Sequence, residues 1–96
     1  MTDAISALLL DDSVELTLEE LCAACRVPEE LVNEIVAEGI VEPLDGSRTR
    51  WRFSGVAVTR IRRVIRLQEE FDVNLPGAAL ALELFEEIER LRRSRR

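Results

Sequence analysis

The sequence contains no histidine and no tyrosine, and aromatic residues make up only 4% of its 96 positions. Without imidazole, Ser-His-Asp triads, histidine-ligated metals and most general bases working near neutral pH drop out. That argues against an enzyme. No uninterrupted apolar run exceeds five residues, the length of Ala78 to Leu82, whereas a membrane-spanning helix takes about 20. No membrane span is expected. Asp3, and no basic residue, precedes the short run Leu8 to Leu10, so the charged start of a secretory signal is missing and a cytoplasmic chain is expected. Cysteine is scarce as well. Cys22 and Cys25 spell C-x-x-C, but a zinc site needs two more Cys or His, and reactive thiol pairs sit at helix N-termini, not five residues past the cap. Both thiols read as core packing, and neither a metal nor a cofactor is expected.

What remains is enough for one small folded domain. The length fits a single core over residues 1–96, and 47% hydrophobic with 33% charged residues is an ordinary mix for a folded chain. With so few aromatics, the core must come from Leu, Val, Ile and Ala, which favours helices packed on a little sheet. Charge is segregated. The net of −6 divides into −11 over residues 1–47, +7 over 48–66, −7 over 67–89 and +5 over 90–96. Blocks of this kind either steer charged partners or neutralise one another within the fold.

Residues 14–17 alternate like a short strand, and Thr17 with Glu20 has capping-box spacing, so a helix starts at Leu18. Leu18, Leu21, Cys22 and Cys25 form its apolar stripe, and it ends near Arg26. Pro28 opens a second helix, with Glu29 and Glu30 in its first turn, which stops at Gly39. Two brief helices joined by a tight turn outline a helix-turn-helix. On the second, Leu31, Val32, Ile35 and Val36 share one arc. The opposite arc presents Glu30, Asn33 and Glu34, with Glu29 and Glu38 at its edges. In a DNA reader this helix enters the major groove, where phosphates demand positive charge. Four glutamates would repel the duplex.

Ile40 and Val41 read as a strand curtailed by Pro43, and Asp45-Gly46 as a hairpin turn into a return segment that alternates Arg48, Arg50, Arg52 against Thr49, Trp51, Phe53. This is a two-stranded wing with a row of arginines. The row can contact phosphates, grip an acidic protein or solubilise an edge strand. A third helix is expected from a Ser54 cap to about Asp72. Arg60 falls inside its apolar arc and must snorkel or pair with an acid from another element. After Asn74, Pro76 and Gly77, a last helix runs over 75–93, apolar around more than half its circumference. One packing surface does not need so much. Self-association or partner contact through Leu82, Phe85 and Ile88 is the expected use of the surplus, with a homodimer the simplest form.

In this order the elements resemble a MerR-type winged helix-turn-helix, which implies a mainly α fold with a short two- or three-stranded wing sheet and a C-terminal amphipathic helix. The chain resembles the chaperone-modulator family CbpM in Glu29-Glu30-Leu31, Asn33 to Val36, Gly39 to Pro43, Trp51 and Phe53, Arg63 with Arg66 and Leu67, Leu75-Pro76-Gly77, and the pattern Ala79, Ala81, Leu82, Leu84, Ile88, Leu91. The resemblance implies binding to the J-domain of the DnaJ-like co-chaperone CbpA, with inhibition of its co-chaperone activity and its DNA binding. J-domains engage DnaK-type chaperones through a basic helix, and an acidic helix face is a suitable competitor for it. Glu29, Glu30, Glu34 and Glu38 are the expected contact residues. The alternative, a MerR-like DNA-binding transcriptional regulator, needs a basic recognition helix, and nucleic acid is therefore not the expected partner.

Overall fold

Thr17 ends one element and begins the next. A computed structural model, whose described residues are 14–44, 47 and 50–95, places it last in strand β1 (Glu15–Thr17) and as the cap of helix α1 (Leu18–Cys25). The Thr17 hydroxyl accepts from the Glu20 amide at 3.1 Å, and the Glu20 carboxylate accepts from the Thr17 amide at 2.8 Å. That is the reciprocal box the spacing predicts. α1 stops because Arg26 turns left-handed (φ 59) and its N–H closes on the Cys22 carbonyl. Pro28 caps α2 (Glu29–Ala37) instead of entering it. Gly39 follows at φ 78, where an added Cβ would meet nothing within 4 Å. Glycine is needed there for its backbone conformation, not for space.

Ile40 and Val41 do not form the expected strand. Neighbouring strand residues point to opposite faces, whereas both of these side chains are buried, and Pro43 is unable to donate to a ladder. Strand β2 (Arg52–Ser54) pairs with β1 instead, antiparallel, with Leu16 opposite Phe53. The Asp45-Gly46 turn lies outside the described residues. One bond of hairpin character crosses its base, from the Leu44 amide to the Arg52 carbonyl at 2.6 Å.

α3 spans Val56–Phe71, and the Ser54 hydroxyl accepts from the Val56 amide at 3.0 Å. α4 spans Leu75–Ser94 and is capped by Asn74, whose Oδ1 accepts from the Gly77 amide at 2.8 Å. The core is a continuous apolar cluster with α3 at its centre, packed against α4, α1 and β2. Val58, Ile61 and Val64 of α3 meet it together with Leu21, Val32, Ile35, Phe53, Ala78 and Leu82. Full burial of such side chains stabilises by about 1.5–3 kcal/mol each before conformational entropy is counted. No polar or charged residue is buried among those described.

Two expectations about side chains resolve differently. Arg60 pairs with Glu86 of α4 at 3.4 Å, the acid from another element that its position calls for, and Arg63 approaches Glu89 at 3.7 Å one turn on. Both pairs are partly exposed, so each contributes at most about 1 kcal/mol. Leu82, expected at a self-association surface, is only 1% exposed and belongs to the core. α3 packs across the Ala78–Leu82 side of α4, which leaves the opposite side uncovered.

α3 ends at Asp72, a non-glycine residue in the left-handed region (φ 53) that also puts a carboxylate beside the negative end of the helix dipole. Asp72→Gly removes both costs. It should raise stability by about 1 kcal/mol in guanidinium denaturation, and an unchanged midpoint would contradict this account.

Candidate functional site

α2 buries Val32 and Ile35 completely and half-buries Leu31, Asn33 and Val36, which fixes its rotation on the core. The other side carries the glutamates. Glu29, Glu30, Glu34 and Glu38 are all exposed, and Glu30, Glu34 and Glu38 follow one another at four-residue intervals along one side of the helix and its cap. Among the described residues, no basic side chain forms an ion pair with these three. Like charges at that spacing cost a helix a few tenths of a kcal/mol per pair. Glu29 and Glu30 recover part of this by sitting at the positive end of the dipole, whereas Glu34 and Glu38 lie towards the negative end.

The field of this face reaches α1. Burial is the main cause that raises the Cys22 thiol pKa, and the Glu29 and Glu30 carboxylates raise it further. Cys25 is pushed up from 9.0 to about 11, chiefly by burial, with the Arg62 guanidinium pulling down and Cys22 adding a smaller upward contribution. Both thiols pack against the core. They are unsuited to nucleophilic or redox work at neutral pH.

The wing row is only partly in view. Arg50 and Arg52 are exposed, and the Arg52 guanidinium donates to the Trp51 carbonyl at 3.2 Å. Arg48 lies outside the described residues. Trp51 and Phe53, read from the sequence as the inner side of the wing, stack edge to face at 5.7 Å.

A second surface lies on α4. Leu80, Leu84, Phe85, Ile88 and Leu91 are 45–59% exposed, and Phe71 at the end of α3 is 63% exposed. Phe71, Phe85 and Ile88 wall a groove of about 560 Å³ floored by Leu67 and Leu82, with Arg63, Arg66, Glu70, Glu89 and Arg92 on its rim. Phe85 and Ile88 therefore stand where the sequence suggests. Leu84 and Leu91 belong to the family pattern but not to the expected self-association set, although the spacing 84, 88, 91 repeats the four-three rhythm of a helix–helix seam.

Known proteins are consistent with this architecture. The family model described as MerR HTH family regulatory protein matches residues 16–96. A chaperone modulatory protein CbpM from Salmonella paratyphi A (strain ATCC 9150 / SARB42) is 42% identical over 84 residues, which cover 88% of this chain and 83% of that protein. Proteins of the same name from Salmonella arizonae and Salmonella newport are each 40% identical over the same shares. The chain belongs to the CbpM family. CbpM proteins are named as modulators, not as enzymes, and among the described residues of this member no helix is long and apolar enough to cross a membrane. In this CbpM chain the second helix of the helix-turn-helix presents an exposed acidic face.

The thiols offer a direct check. With Cys25 near 11, its thiolate fraction at pH 8 is about a hundredfold below that of an ordinary cysteine, and iodoacetamide should label it correspondingly slowly in the folded chain. The protonated thiol's contribution to stability is complete below pH 9.0 and is lost as pH rises towards about 11. Labelling at the rate of free cysteine would refute the burial argument.

Proposed function

We propose that this chain is a chaperone modulator whose acidic α2 face holds the J-domain of a CbpA/DnaJ-like co-chaperone by its basic helix. Occupying that helix denies it to a DnaK-type chaperone, which inhibits co-chaperone activity, and the same complex hinders the co-chaperone's DNA binding. The observation that carries the reading is the row Glu30, Glu34, Glu38, exposed and without a described basic partner. Such a row makes the free helix less stable, and a basic partner relieves the repulsion on binding. A duplex increases it, so the DNA-binding reading is disfavoured by the same three side chains.

The outward face of α4 supports a second element of the proposal, a homodimer. Residues 83–89 hold four glutamates and residues 90–96 five arginines. An antiparallel copy of α4 sets its glutamates, of which Glu86, Glu87 and Glu89 also pair within the chain, towards the arginines that end the other copy's helix, with Leu84, Ile88 and Leu91 as the shared apolar seam. A parallel copy sets like charges together.

Glu34→Lys gives a sharp test because the two effects have opposite signs. The new lysine sits four residues from Glu30 and from Glu38, so the variant should be about 0.5 kcal/mol more stable than the parent. Glu30→Lys with Glu34→Lys should weaken J-domain binding roughly a hundredfold in titration calorimetry. Undiminished affinity rejects the assignment. The association rate of the parent should also fall steeply with added salt, and a flat dependence would remove the electrostatic basis.

For the dimer, sedimentation equilibrium at tens of micromolar should give twice the chain mass. Leu84→Glu with Ile88→Glu should give the chain mass with the helical content retained, since both residues are exposed in the isolated chain. A monomeric parent overturns that part of the reading.

A further inference from the structure

α1 reaches its C-terminus without a basic side chain in its last turn. Its closing backbone donors, the amides of Arg26 and Val27, both go to the Cys22 carbonyl, the latter at 3.1 Å. The Ala24 carbonyl is taken by a distant donor. Arg62, 38 residues further along the chain on α3, donates from Nη2 to it at 3.1 Å. A charged donor suits this place twice over, as a hydrogen-bond partner for an end carbonyl and as a cation at the negative end of the helix dipole. The surface beside this contact is concave. A cleft of about 440 Å³, with Cys25, Thr59, Arg62 and Ile65 among its lining residues, opens along α3 beside the end of α1. Cys25 and Val27 pack the end of α1 against the core from within, and Arg62 adds a directional bond at its exposed edge.

That end sets α2. Three residues separate the helices, and the principal helix contact of α2 is with α1. We infer that Arg62 is a positioning residue that fixes, through the end of α1, the angle at which Glu30, Glu34 and Glu38 are presented. The inference rests on the reading of α2 as the partner-binding face. Arg62 itself is exposed, and its effect falls on the orientation of the face more than on global stability.

Electrostatics alone gives the opposite expectation, which makes the role separable. Removing a positive charge makes the chain more attractive to a basic partner, so Arg62→Ala should tighten binding if charge were all that mattered. Positioning demands a loss. Arg63→Ala removes the same charge one residue away from a side chain that pairs with Glu89 instead of bonding the Ala24 carbonyl, and serves as the control.

The experiment measures amide hydrogen exchange and calorimetric affinity for the J-domain of a CbpA-type co-chaperone, on the full chain. In Arg62→Ala, exchange at Arg26 and Val27 should quicken by roughly threefold to tenfold and affinity should fall by a similar factor. Arg62→Lys should recover most of both, and Arg63→Ala should leave exchange at those amides unchanged while binding stays level or tightens. Unaltered protection at Arg26 and Val27 in Arg62→Ala overturns the clamp. Altered protection with unaltered affinity overturns its role in presenting the face. If the parent itself fails to bind the J-domain, the proposed function falls on that result, and the presenting role falls with it.

Discussion

The fold depends on α3 being buried along one side and charged along the other. Its apolar side supplies Val58, Ile61, Val64 and Leu67 to the core, and α1, β2 and α4 all pack on it. Removing any of these contacts exposes a face that has no other cover in so short a chain. The arginines of α3, Arg60 within the apolar arc and Arg62 and Arg63 on the exposed side, reach its neighbours. Arg60 and Arg63 reach Glu86 and Glu89 on α4, and Arg62 reaches the end of α1. One helix thus organises the core by burial and trims the angles of its neighbours by charge. The second contribution is energetically small, since the pairs are partly exposed, but it is directional where burial is not.

This division explains which features were legible in the sequence. Local signals were read closely. The Thr17–Glu20 box and the stop at Gly39 involve residues within a few positions of each other, and their geometry follows from the spacing; Asn74, expected only to break the pattern before α4, caps it by an equally local bond. Arg60 was legible for another reason. A guanidinium in an apolar arc has few acceptable neighbours, and an acid on a second helix was one of them.

Features that depend on tertiary choice were not legible in the same way. Ile40 and Val41 have strand composition, yet both turn into the core, and β1 takes the pairing with β2 that the hairpin reading gave to them. Composition does not decide between alternation and joint burial. On α4 the difficulty is rotational. A helix apolar around most of its circumference offers several sides to α3, and only packing shows that Leu82 faces inward while Leu84 and Leu91 face outward. The bond from Arg62 to Ala24 spans 38 positions and left no periodic trace.

The acidic row on α2 is where stability and function separate. Nothing in the fold asks for Glu34 and Glu38. They sit past the turn in which the dipole rewards a negative charge, and each stands four residues from another carboxylate. A lysine at either position would serve the isolated chain better. The buried side of the same helix behaves conventionally, with Val32 and Ile35 filling the core. A local rule broken on one side of a helix and kept on the other is the pattern that the proposed partner-binding role of this face accounts for. The sign of the charge then bears on the kind of partner. The family model described as MerR HTH family regulatory protein covers most of this chain, and the second helix of its motif carries an exposed acidic face, whose sign under the proposed function favours a basic protein surface over phosphate.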